Sequence, residues 1–515
     1  ITILNPTIMK KSILNLSALA FLTANAQETY LNGNLLKPEL NGTARYVGMG
    51  GAMEALGADI STIGTNPAGI GLFRRSAANI SFGLMSQQDA PTIDGTNKTH
   101  ASFDQAGFVY STRTSSSSFL NFAFNYSKSR DFNFLLDATG FTNGGGQNQV
   151  TSNKGNNGVF DYNSDDLRLT QLDYLYGELM CYDPVDDNTN PWLYYNMDKY
   201  NMQHQQSGYI GQYDFNISGN SNNRFYWGIT VGIHDVHFNS YSDYLEMNQN
   251  EDLINVIDEN RITGTGFDIK AGIIFRPVAE SPFRIGLSVS TPTWYELKMN
   301  NSTSLAYDFI VDNESFSDGM SVEYDQYKYK LYTPWKFGAS LGHTIGQNLA
   351  IGASYEYADY SSTDNRIIEN ESYYWGDSES SSDTQMNRHT KKTLKGVSTL
   401  KFGTEFKPDP AIAVRLGFNY VSPMYQKNGV KPGDIYSVGN AITGTAYTNW
   451  EDTYRVTAGL GYAIDDFSID LAYQYSTTNG KFTPYYDPCD AQNTPQTVDV
   501  SDKRHQLMLT FGYRF

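Results

Sequence analysis

The most catalytic-looking residues lie at positions 338–343. The run Gly-Ala-Ser-Leu-Gly at 338–342 fits the GxSxG pattern of a nucleophilic serine, and His343 follows it directly. That pattern needs a sharp strand-to-helix turn to present its serine, whereas these residues lie inside an alternating segment typical of a strand. Because Ser340 and His343 are three residues apart, a strand would place them on opposite faces. We therefore expect no enzymatic activity from Ser340 and His343.

Two further patterns resemble metal sites. His234 and His237 have helical ligand spacing, but on a strand their side chains face opposite ways. The Asp-x-Asn-x-Asn run at 186–190 is spaced like a calcium loop, yet Pro191 stands where an EF-hand needs glycine. An adventitious surface Ca²⁺ site at this run stays open as an alternative. We expect no structural metal, no catalytic residue and no cofactor.

The composition narrows the classes of protein that can hold these residues. The 515 residues carry a net charge of -18, with 18% charged, 40% hydrophobic and 14% aromatic residues. A nucleic-acid partner is excluded because phosphate binding requires a basic face. The aromatic content argues against disorder, and the low charged fraction argues against long helices. A large all-β protein remains.

From Ser76 onward the chain alternates with a period of two. Phe267, Ile269 and Ile273 would share one strand face, and Asp268 and Lys270 the other. The same division recurs at 412–420, 467–475 and 507–515. A soluble sandwich also alternates, but long apolar faces ringed by Tyr and Phe favour a transmembrane β-barrel, with charges and glycines directed to the lumen.

The segment count predicts an all-β membrane protein with a 14-stranded antiparallel barrel over residues 76–515. The predicted strands lie near 76–86, 103–113, 118–128, 206–218, 223–239, 262–276, 282–294, 331–345, 348–361, 396–407, 411–422, 452–463, 466–478 and 503–515. Short turns alternate with long connections, as expected when short turns face the periplasm. The predicted long connections cover 87–102, 129–205, 240–261, 295–330, 362–395, 423–451 and 479–502.

Both ends of the sequence favour export to the bacterial outer membrane. A basic start at Met9, an apolar run at 13–22 and an Ala-x-Ala site predict a signal peptide cleaved after Ala26, with residues 1–8 upstream. No later apolar stretch is long enough for a spanning helix. The terminal Phe515 resembles the signal read by the barrel-assembly machinery, an expected partner during biogenesis. Cys181 and Cys489 could form one disulfide or remain separate thiols.

Residues 27–75 do not alternate and are dense in glycine and alanine, which predicts a compact plug inside the lumen. Their motif resembles the FadL family of outer-membrane transporters for long-chain fatty acids and other hydrophobic compounds, in its Bacteroidetes-type branch. The resemblance rests on Arg45, Met49, Gly50, Gly51, Ala52, Asp59, Ser61, Asn66, Pro67, Ala68 and Gly69, and on the run 333–338.

The resemblance implies that residues 27–75 form an N-terminal hatch with an apolar ligand site beside it, and that substrate leaves sideways through the barrel wall into the outer-membrane lipid. The candidate ligand-binding residues are Met49, Met53, Leu56, Ile60 and Ile63, for which packing of the plug against the wall is the alternative. Asp59 is expected to pair with Arg415, Arg455 or Arg514.

The connection 129–205 is long enough to predict its own structure. A helix is expected after Ser164, followed at helical spacing by Leu169, Leu172, Leu175, Leu179 and Met180. A second could begin at Asn190 and Pro191, with Leu193, Met197 and Tyr200 on one stripe. These helices would either capture a lipid or cap the barrel. The predicted function is passive transport of a hydrophobic small molecule, of the fatty-acid or aromatic-compound type. The alternative is a FadL-like surface module that binds cargo proteins of type 9 secretion.

Overall fold

The structure is a computed structural model that describes residues 28–93, 95–162, 169–183, 191–311, 314–371, 378–433 and 444–515. The predicted signal peptide, Ser164 and the Asp-x-Asn-x-Asn run at 186–190 lie outside the described residues. Fourteen barrel strands form one antiparallel sheet, to which the short strand Ser378–Ser382 adds by pairing with Asp364–Glu371. They are β1 Ala77–Gln87, β2 Thr99–Arg113, β3 Phe119–Asp131 with Phe134–Phe141, β4 Lys199–Ser221, β5 Phe225–Met247, β6 Leu253–Phe275, β7 Arg284–Ser290 with Trp294–Val311, β8 Glu314–Tyr332 with Lys336–Ile345, β9 Leu349–Asp359 with Asp364–Glu371, β10 Gly396–Asp409, β11 Ile412–Val421, β12 Tyr447–Ile464, β13 Phe467–Thr483 and β14 Val498–Arg514.

The sheet closes on itself. Strand β1 pairs with β14 from Ala77↔Arg514 to Gln87↔Arg504, and every other strand pairs with its neighbour in the chain. The backbone N–H of Phe515 donates to the Ser76 carbonyl at 2.9 Å, which extends this closure by one further bond. The prediction of a fourteen-stranded transmembrane barrel is confirmed.

The outer surface carries an apolar band. Phe267 and Ile273 on β6 are 40% exposed, whereas the intervening Asp268 and Lys270 are each 4% exposed and face the lumen. Leu416 on β11 is 59% exposed and its neighbour Arg415 is buried. The inside-polar, outside-apolar alternation that the sequence predicts is therefore present, as a bilayer requires. None of the helices in the described part of the chain is long and apolar enough to cross a membrane.

Several strands are far longer than a membrane requires. Strands β4, β5 and β6 have 23 residues each, whereas about 10 residues cross a bilayer. The predicted long loops 240–261 and 295–330 are therefore wrong. In the structure the ladder β5–β6 continues to Met247↔Leu253, and the ladder β7–β8 continues to Val311↔Glu314.

The physical reason for this error is an inversion of the alternation. On β5 the apolar residues Ile229 and Ile233 face outward, but beyond them the apolar residues Val236, Phe238 and Tyr244 face inward. Outside the membrane the outer face meets water, so the hydrophobic side chains move to the inner face. There Tyr244 forms a cap with residues of the 129–205 connection, including Leu172, Leu175, Trp192 and Met197. Val236 and Phe238 pack in a separate inner cluster with Leu35, Ile210 and Ile262.

The helices are short and lie in the N-terminal segment or the outer connections. They are α1 Thr29–Leu36, α2 Ala44–Gly48, α3 Gln147–Asn156, α4 Gln171–Tyr176 and α5 Thr384–Thr393. The predicted helix with Leu172 and Leu175 is present as α4, which Thr170 caps. The predicted helix from Asn190 is wrong. Trp192 makes an isolated bridge to Tyr182, and β4 begins at Lys199.

Residues 28–75, named the N-terminal segment from here on, precede β1 and lie against inward-facing wall residues. After α1 and α2 come two 3-10 turns, Ile60–Gly64 and Pro67–Leu72. The Ala44 N–H donates to Thr510 Oγ1 on β14 at 2.8 Å, and Asn121 Nδ2 on β3 donates to the Ile70 carbonyl at 2.7 Å.

Candidate functional site

Glycines of both the N-terminal segment and the barrel wall allow the two backbones to approach closely. Gly50 adopts φ +62, and a Cβ there would lie 2.7 Å from the backbone nitrogen of Phe418 on β11. Only glycine combines this conformation with this contact. The wall contributes glycines of its own opposite the segment backbone, namely Gly228, Gly352, Gly403 and Gly417. The Gly-rich composition of the motif thus has a packing cause.

The motif arginine makes the ion pair that joins segment and wall. Arg45 donates from Nε to Glu405 Oε2 at 2.9 Å and from Nη2 to Glu405 Oε1 at 3.0 Å. Arg415 donates to the same carboxylate at 2.6 Å. The expected pairing of Asp59 with a wall arginine is wrong, because Asp59 Oδ1 accepts from Thr43 Oγ1 at 2.9 Å and from Ser61 N at 3.0 Å.

The wall arginines that were candidates for Asp59 have other neighbours. Arg415 pairs with Glu405 and with Asp470 at 2.6 Å. Arg455 donates to Asn419 Oδ1 and to the Pro38 carbonyl, both at 2.8 Å. Arg514, near the end of β14, interacts electrostatically with both Asp59 and Asp470, but it forms no direct ion pair with Asp59 among the described residues. Asp59 instead fixes the local turn, because a carboxylate at an N-cap satisfies otherwise unpaired N–H groups.

The remaining motif residues shape the N-terminal segment itself. Gly51 has φ +79, and Ser61 Oγ accepts from Thr43 N at 2.8 Å. Asn66 Oδ1 accepts from Ala68 N at 3.2 Å and so caps the turn that Pro67 begins. The structure therefore brings these residues together as a folding motif.

The five tentative ligand residues lie in packed clusters. Met49, Met53 and Leu56 pack with Val47 and Met508. Ile60 and Ile63 pack with Ile70, Val109 and Ala123. Ile63 also lines a cavity of about 210 Å³ beside the segment, named the lower cavity. Their surroundings match the packing alternative of the sequence analysis.

A second cavity of about 180 Å³, named the upper cavity, lies between the N-terminal segment and the cap. Its apolar wall comes from α1 and from the outer halves of many strands. The residues of this wall are Tyr30, Leu31, Phe134, Leu136, Met202, Phe238, Met299, Tyr425, Tyr447, Trp450 and Phe482. Lys37 and Arg130 line both cavities, so the two are neighbours.

Cationic side chains gather where the two cavities meet. Four cations, Lys37, Arg130, Arg455 and Arg504, interact with the two carboxylates of Glu39 and Asp502. We name these six residues the cation cluster. Arg504 Nε donates to Asp502 Oδ1 at 2.8 Å, and Lys37 lies 3.7 Å from Asp502. A third carboxylate, Asp131, also acts on Arg130 and Arg504 but is itself paired with Lys128 at 2.9 Å. Positive charge is therefore in excess, which favours an anionic ligand group.

Two observations indicate that the cation cluster can bind a further anion. Arg130 is 5% exposed, and its Nε has no hydrogen-bond partner among the described residues. Burial and the neighbouring guanidiniums lower the pKa of Lys37 to about 8, against the opposing effect of Asp502. A buried donor without a partner and a destabilised cation would both be stabilised by an added anion.

The barrel wall beside the cluster has an incomplete backbone ladder. Strands β2 and β3 pair from Arg113↔Phe119 only as far as Gln105↔Ser127. Above this point residues 99–104 pair with β1 alone, while β3 continues along β4. We name this unpaired stretch the seam. Unpaired backbone edges are costly unless other groups satisfy them.

Side chains bridge the seam in place of backbone bonds. Lys128 Nζ donates to Ser102 Oγ at 2.5 Å and to Asp131 Oδ2 at 2.9 Å. Asn41 of the N-terminal segment donates to Asp104 Oδ1 at 3.2 Å and to the Lys128 carbonyl at 3.0 Å. Opening the seam would therefore break side-chain contacts while leaving the β-ladders intact.

A third cavity of about 250 Å³, named the side pocket, lies at the seam. Phe134, Gln206 and Arg504 line both the side pocket and the upper cavity. The side pocket also contacts His100 on β2 and residues 95–98 of the preceding connection. The upper cavity and the seam are thus separated by a few side chains.

Among the described residues, the Ser340–His343 and His234–His237 patterns are not assembled into sites. Ser340 and His343 lie on the continuous strand segment Lys336–Ile345, where odd spacing puts them on opposite faces. His234 faces inward to Asp268 at 2.9 Å, and His237 faces outward to Asp235 at 3.0 Å. No disulfide joins Cys181 and Cys489, which are both among the described residues.

Sequence reasoning missed the cavity residues. Arg130 and Phe134 lie in the connection 129–205, and Arg504 was counted as one position in an alternating strand. One feature of the sequence could have indicated the cavity residues. Arg130, Lys128 and Asp131 form a charged cluster directly after an apolar strand, where the pattern of alternation stops.

Comparison with known proteins identifies the fold. No protein-family profile and no curated protein sequence matches the chain. A Pseudomonas aeruginosa FadL homologue of known structure matches with a TM-score of 0.52 at 12% identity, over 93% of this chain and 99% of that one. The Ralstonia pickettii toluene transporter TbuX gives 0.49 at 12% identity, over 92% and 98%. The first match shows that the chain has a FadL-type fold, as the motif of residues 45–69 predicted.

Proposed function

We propose that this chain, a transmembrane barrel with the FadL-type fold, carries hydrophobic small molecules passively across the bacterial outer membrane. The best-fitting substrate is an amphiphile with an apolar body and one acidic head group, of which a long-chain fatty acid is the type. The observation that carries the proposal is the upper cavity, where aromatic and aliphatic walls adjoin the cation cluster. A neutral aromatic compound would use only the apolar wall.

The energetics of such a ligand are favourable without any covalent chemistry. Burial of each methylene contributes about 0.8 kcal/mol. The acid group would accept hydrogen bonds from guanidinium groups, and charge-assisted bonds of this kind are roughly twice as strong as neutral ones. The apolar wall thus supplies affinity, and the cluster supplies selectivity for acids.

Two features support lateral release over straight passage. The N-terminal segment lies across the lumen and contacts the wall from β3 through β14, so we propose that it acts as a hatch. The seam adjoins the upper cavity through Phe134 and Arg504. A hydrophobic molecule gains by moving from the cavity into lipid, whereas release into the aqueous periplasm would expose its tail to water.

The test is a comparison of two tryptophan variants. L136W adds bulk inside the upper cavity, whose wall includes Leu136 at 7% exposure, and L416W adds the same bulk on the lipid face at 59% exposure. We expect L136W to lower laurate uptake and laurate binding at least about tenfold, because overpacking leaves no room for the tail. L416W should match the parent chain.

Isothermal titration with laurate and with dodecanol separates the head group from the tail. Tighter binding of laurate supports an acidic substrate, and equal binding would favour a neutral one. Mass spectrometry of material that co-purifies from native membranes provides an independent result. Recovery of a secreted protein with no enriched acyl or aromatic compound would overturn the transport proposal in favour of the cargo-binding alternative.

A further inference from the structure

Glu39 of the N-terminal segment contacts both the cation cluster and the seam. Its Oε1 lies 3.5 Å from Arg504 Nη1 and 3.6 Å from Arg130 Nη1. Its Oε2 accepts a hydrogen bond from the backbone N–H of Asp131 at 2.6 Å. One carboxylate therefore neutralises the guanidiniums beside the cavity and also holds a backbone group of β3 where the seam lies.

The backbone N–H and carbonyl of Asp131 have no partner on β2, because the backbone ladder between β2 and β3 ends before Asp131. Both groups therefore find their partners in the cation cluster. The last pair is Gln105↔Ser127, and the Asp131 carbonyl accepts from Arg504 Nη1 at 3.3 Å. The Asp131 side chain pairs with Lys128 at 2.9 Å and with His100 at 3.2 Å. Glu39 and Arg504 thus satisfy the N–H and the carbonyl of Asp131, while β3 itself stays paired with β4 at Asp131↔Tyr209.

We propose that the acid group of an incoming amphiphile replaces Glu39 at the guanidiniums of Arg130 and Arg504, and that this exchange releases the seam. Asp502 already holds Arg504 at 2.8 Å, whereas Glu39 lies 3.5 Å from Arg504 and 3.6 Å from Arg130. A third carboxylate at this site therefore repels and displaces the more loosely held Glu39, and the Asp131 N–H loses its acceptor. Ligand entry and wall opening are then one linked equilibrium. This inference rests on the proposed function, and it adds that Glu39 is the positioning residue that couples the two sites.

Opening of the seam should depend on the charge of the ligand. A neutral molecule of the same length would occupy the apolar wall but would not compete with Glu39, so it would leave the seam closed. A ligand can shift such an equilibrium only by its differential affinity for the two states. Here that difference comes from the head group.

The experiment is hydrogen exchange with mass spectrometry on the full chain in lipid nanodiscs, read at peptides that contain the Asp131 amide. With laurate bound, we expect exchange in the wild type to accelerate about tenfold, because a local opening exposes this amide. Dodecanol at equal occupancy should leave the rate unchanged. Titration calorimetry establishes occupancy in each case.

Two matched variants separate coupling from charge. E39Q keeps an oxygen that can accept from Asp131 N but carries no charge, so laurate should bind about tenfold tighter and no longer accelerate exchange. This factor lies within the roughly 5–150-fold range of typical site coupling. D502N also removes one carboxylate from the cluster but leaves Glu39 in place, so laurate should still accelerate exchange.

Each outcome decides between the proposals. Laurate-induced exchange in E39Q equal to that of the wild type would overturn the role of Glu39. Laurate binding to the wild type without faster exchange would overturn the coupling and leave the proposed transport intact. Absence of laurate binding would overturn both. If E39Q fails to fold, the laurate and dodecanol arms on the wild type still give a decision.

Discussion

Glu405 is a buried wall carboxylate that pairs directly with the N-terminal segment. It is 3% exposed and lies between Arg45 of the segment and Arg415 of β11. Removing one member of a buried ion pair leaves uncompensated charge, which costs about 3–5 kcal/mol. We therefore expect E405Q to lower the free energy of unfolding by that amount in denaturant titrations followed by circular dichroism.

The matched control for E405Q is D466N. Asp466 pairs with Arg75 at 2.6 Å, but both side chains are largely exposed, at 42% and 55%. Exposed pairs contribute at most about 1 kcal/mol. Similar losses for the two variants would mean that Glu405 is solvated and that the segment does not depend on it.

The proposed binding of a fatty acid should depend on pH through the protonation of Lys37. Its pKa is lowered to about 8, chiefly by burial. As pH rises from 7 to 9, Lys37 loses its proton and the cation cluster loses one positive charge, while a fatty carboxylate stays ionised. Laurate affinity should therefore fall about fivefold over this range in calorimetric titrations, which corresponds to ~1 kcal/mol.

The control for this pH dependence is K37R. An arginine stays protonated across the range, so the affinity of K37R for laurate should stay nearly constant between pH 7 and 9. An equal decline in K37R would assign the titration to another group in the cluster.

At the scale of elements, the membrane-spanning strands were predictable and their outer halves were not. The bilayer imposes one rule on every strand, so residues such as Phe267 and Asp268 reveal their faces from spacing alone. Beyond the membrane the rule reverses, and Val236 and Phe238 face inward. The predicted strand 223–239 included both residues, but the prediction placed loops at 240–261 and 295–330, where the structure has the outer parts of the β5–β6 and β7–β8 hairpins.

The helical elements show a related limit. Helix α4 was predictable from the helical spacing of Leu172 and Leu175. The start that was expected after Ser164 lies outside the described residues, and the structure shows a capping box of Thr170 and Asp173 instead. The predicted second helix has a similar stripe, yet residues 191–197 are not helical, because Trp192 bridges to Tyr182 and packs with Met197 in the cap. Tertiary contacts decide such short segments because isolated helices of this length are marginal.

At the scale of the whole molecule, the site is formed by residues far apart in the chain. Glu39, Arg130 and Arg504 meet only after the barrel closes through the β1–β14 ladder. Alternation fixes which face a residue occupies but not which strands share a register. The fold class and the motif of the N-terminal segment could therefore be predicted, whereas the cation cluster, the cavity wall and the seam could not.

Barrel closure and the N-terminal segment should be separable. The β1–β14 ladder spans Ala77↔Arg514 to Gln87↔Arg504 and uses no residue of the segment, so we expect a chain lacking residues 28–72 to fold and to migrate as a heat-modifiable band. Its lumen would lose Arg45 and Glu54, the partners of Glu405 and Lys401, but these wall groups would then face water, where unpaired charges cost little.

The deletion should convert a closed barrel into a conducting one. Eight-stranded barrels are filled by their own side chains and barrels of 16–18 strands leave an aqueous channel, so fourteen strands without an internal segment should admit water and ions. In planar bilayers we expect ion current several-fold above that of the full chain, reduced from a fully open pore because the cap of Leu172, Leu175 and Trp192 remains. A folded deletion variant with the current of the full chain would show that the cap closes the barrel and that the segment is no hatch. Increased current together with lost laurate selectivity would instead assign to the N-terminal segment both the barrier and, through Lys37 and Glu39, part of the acid-binding site.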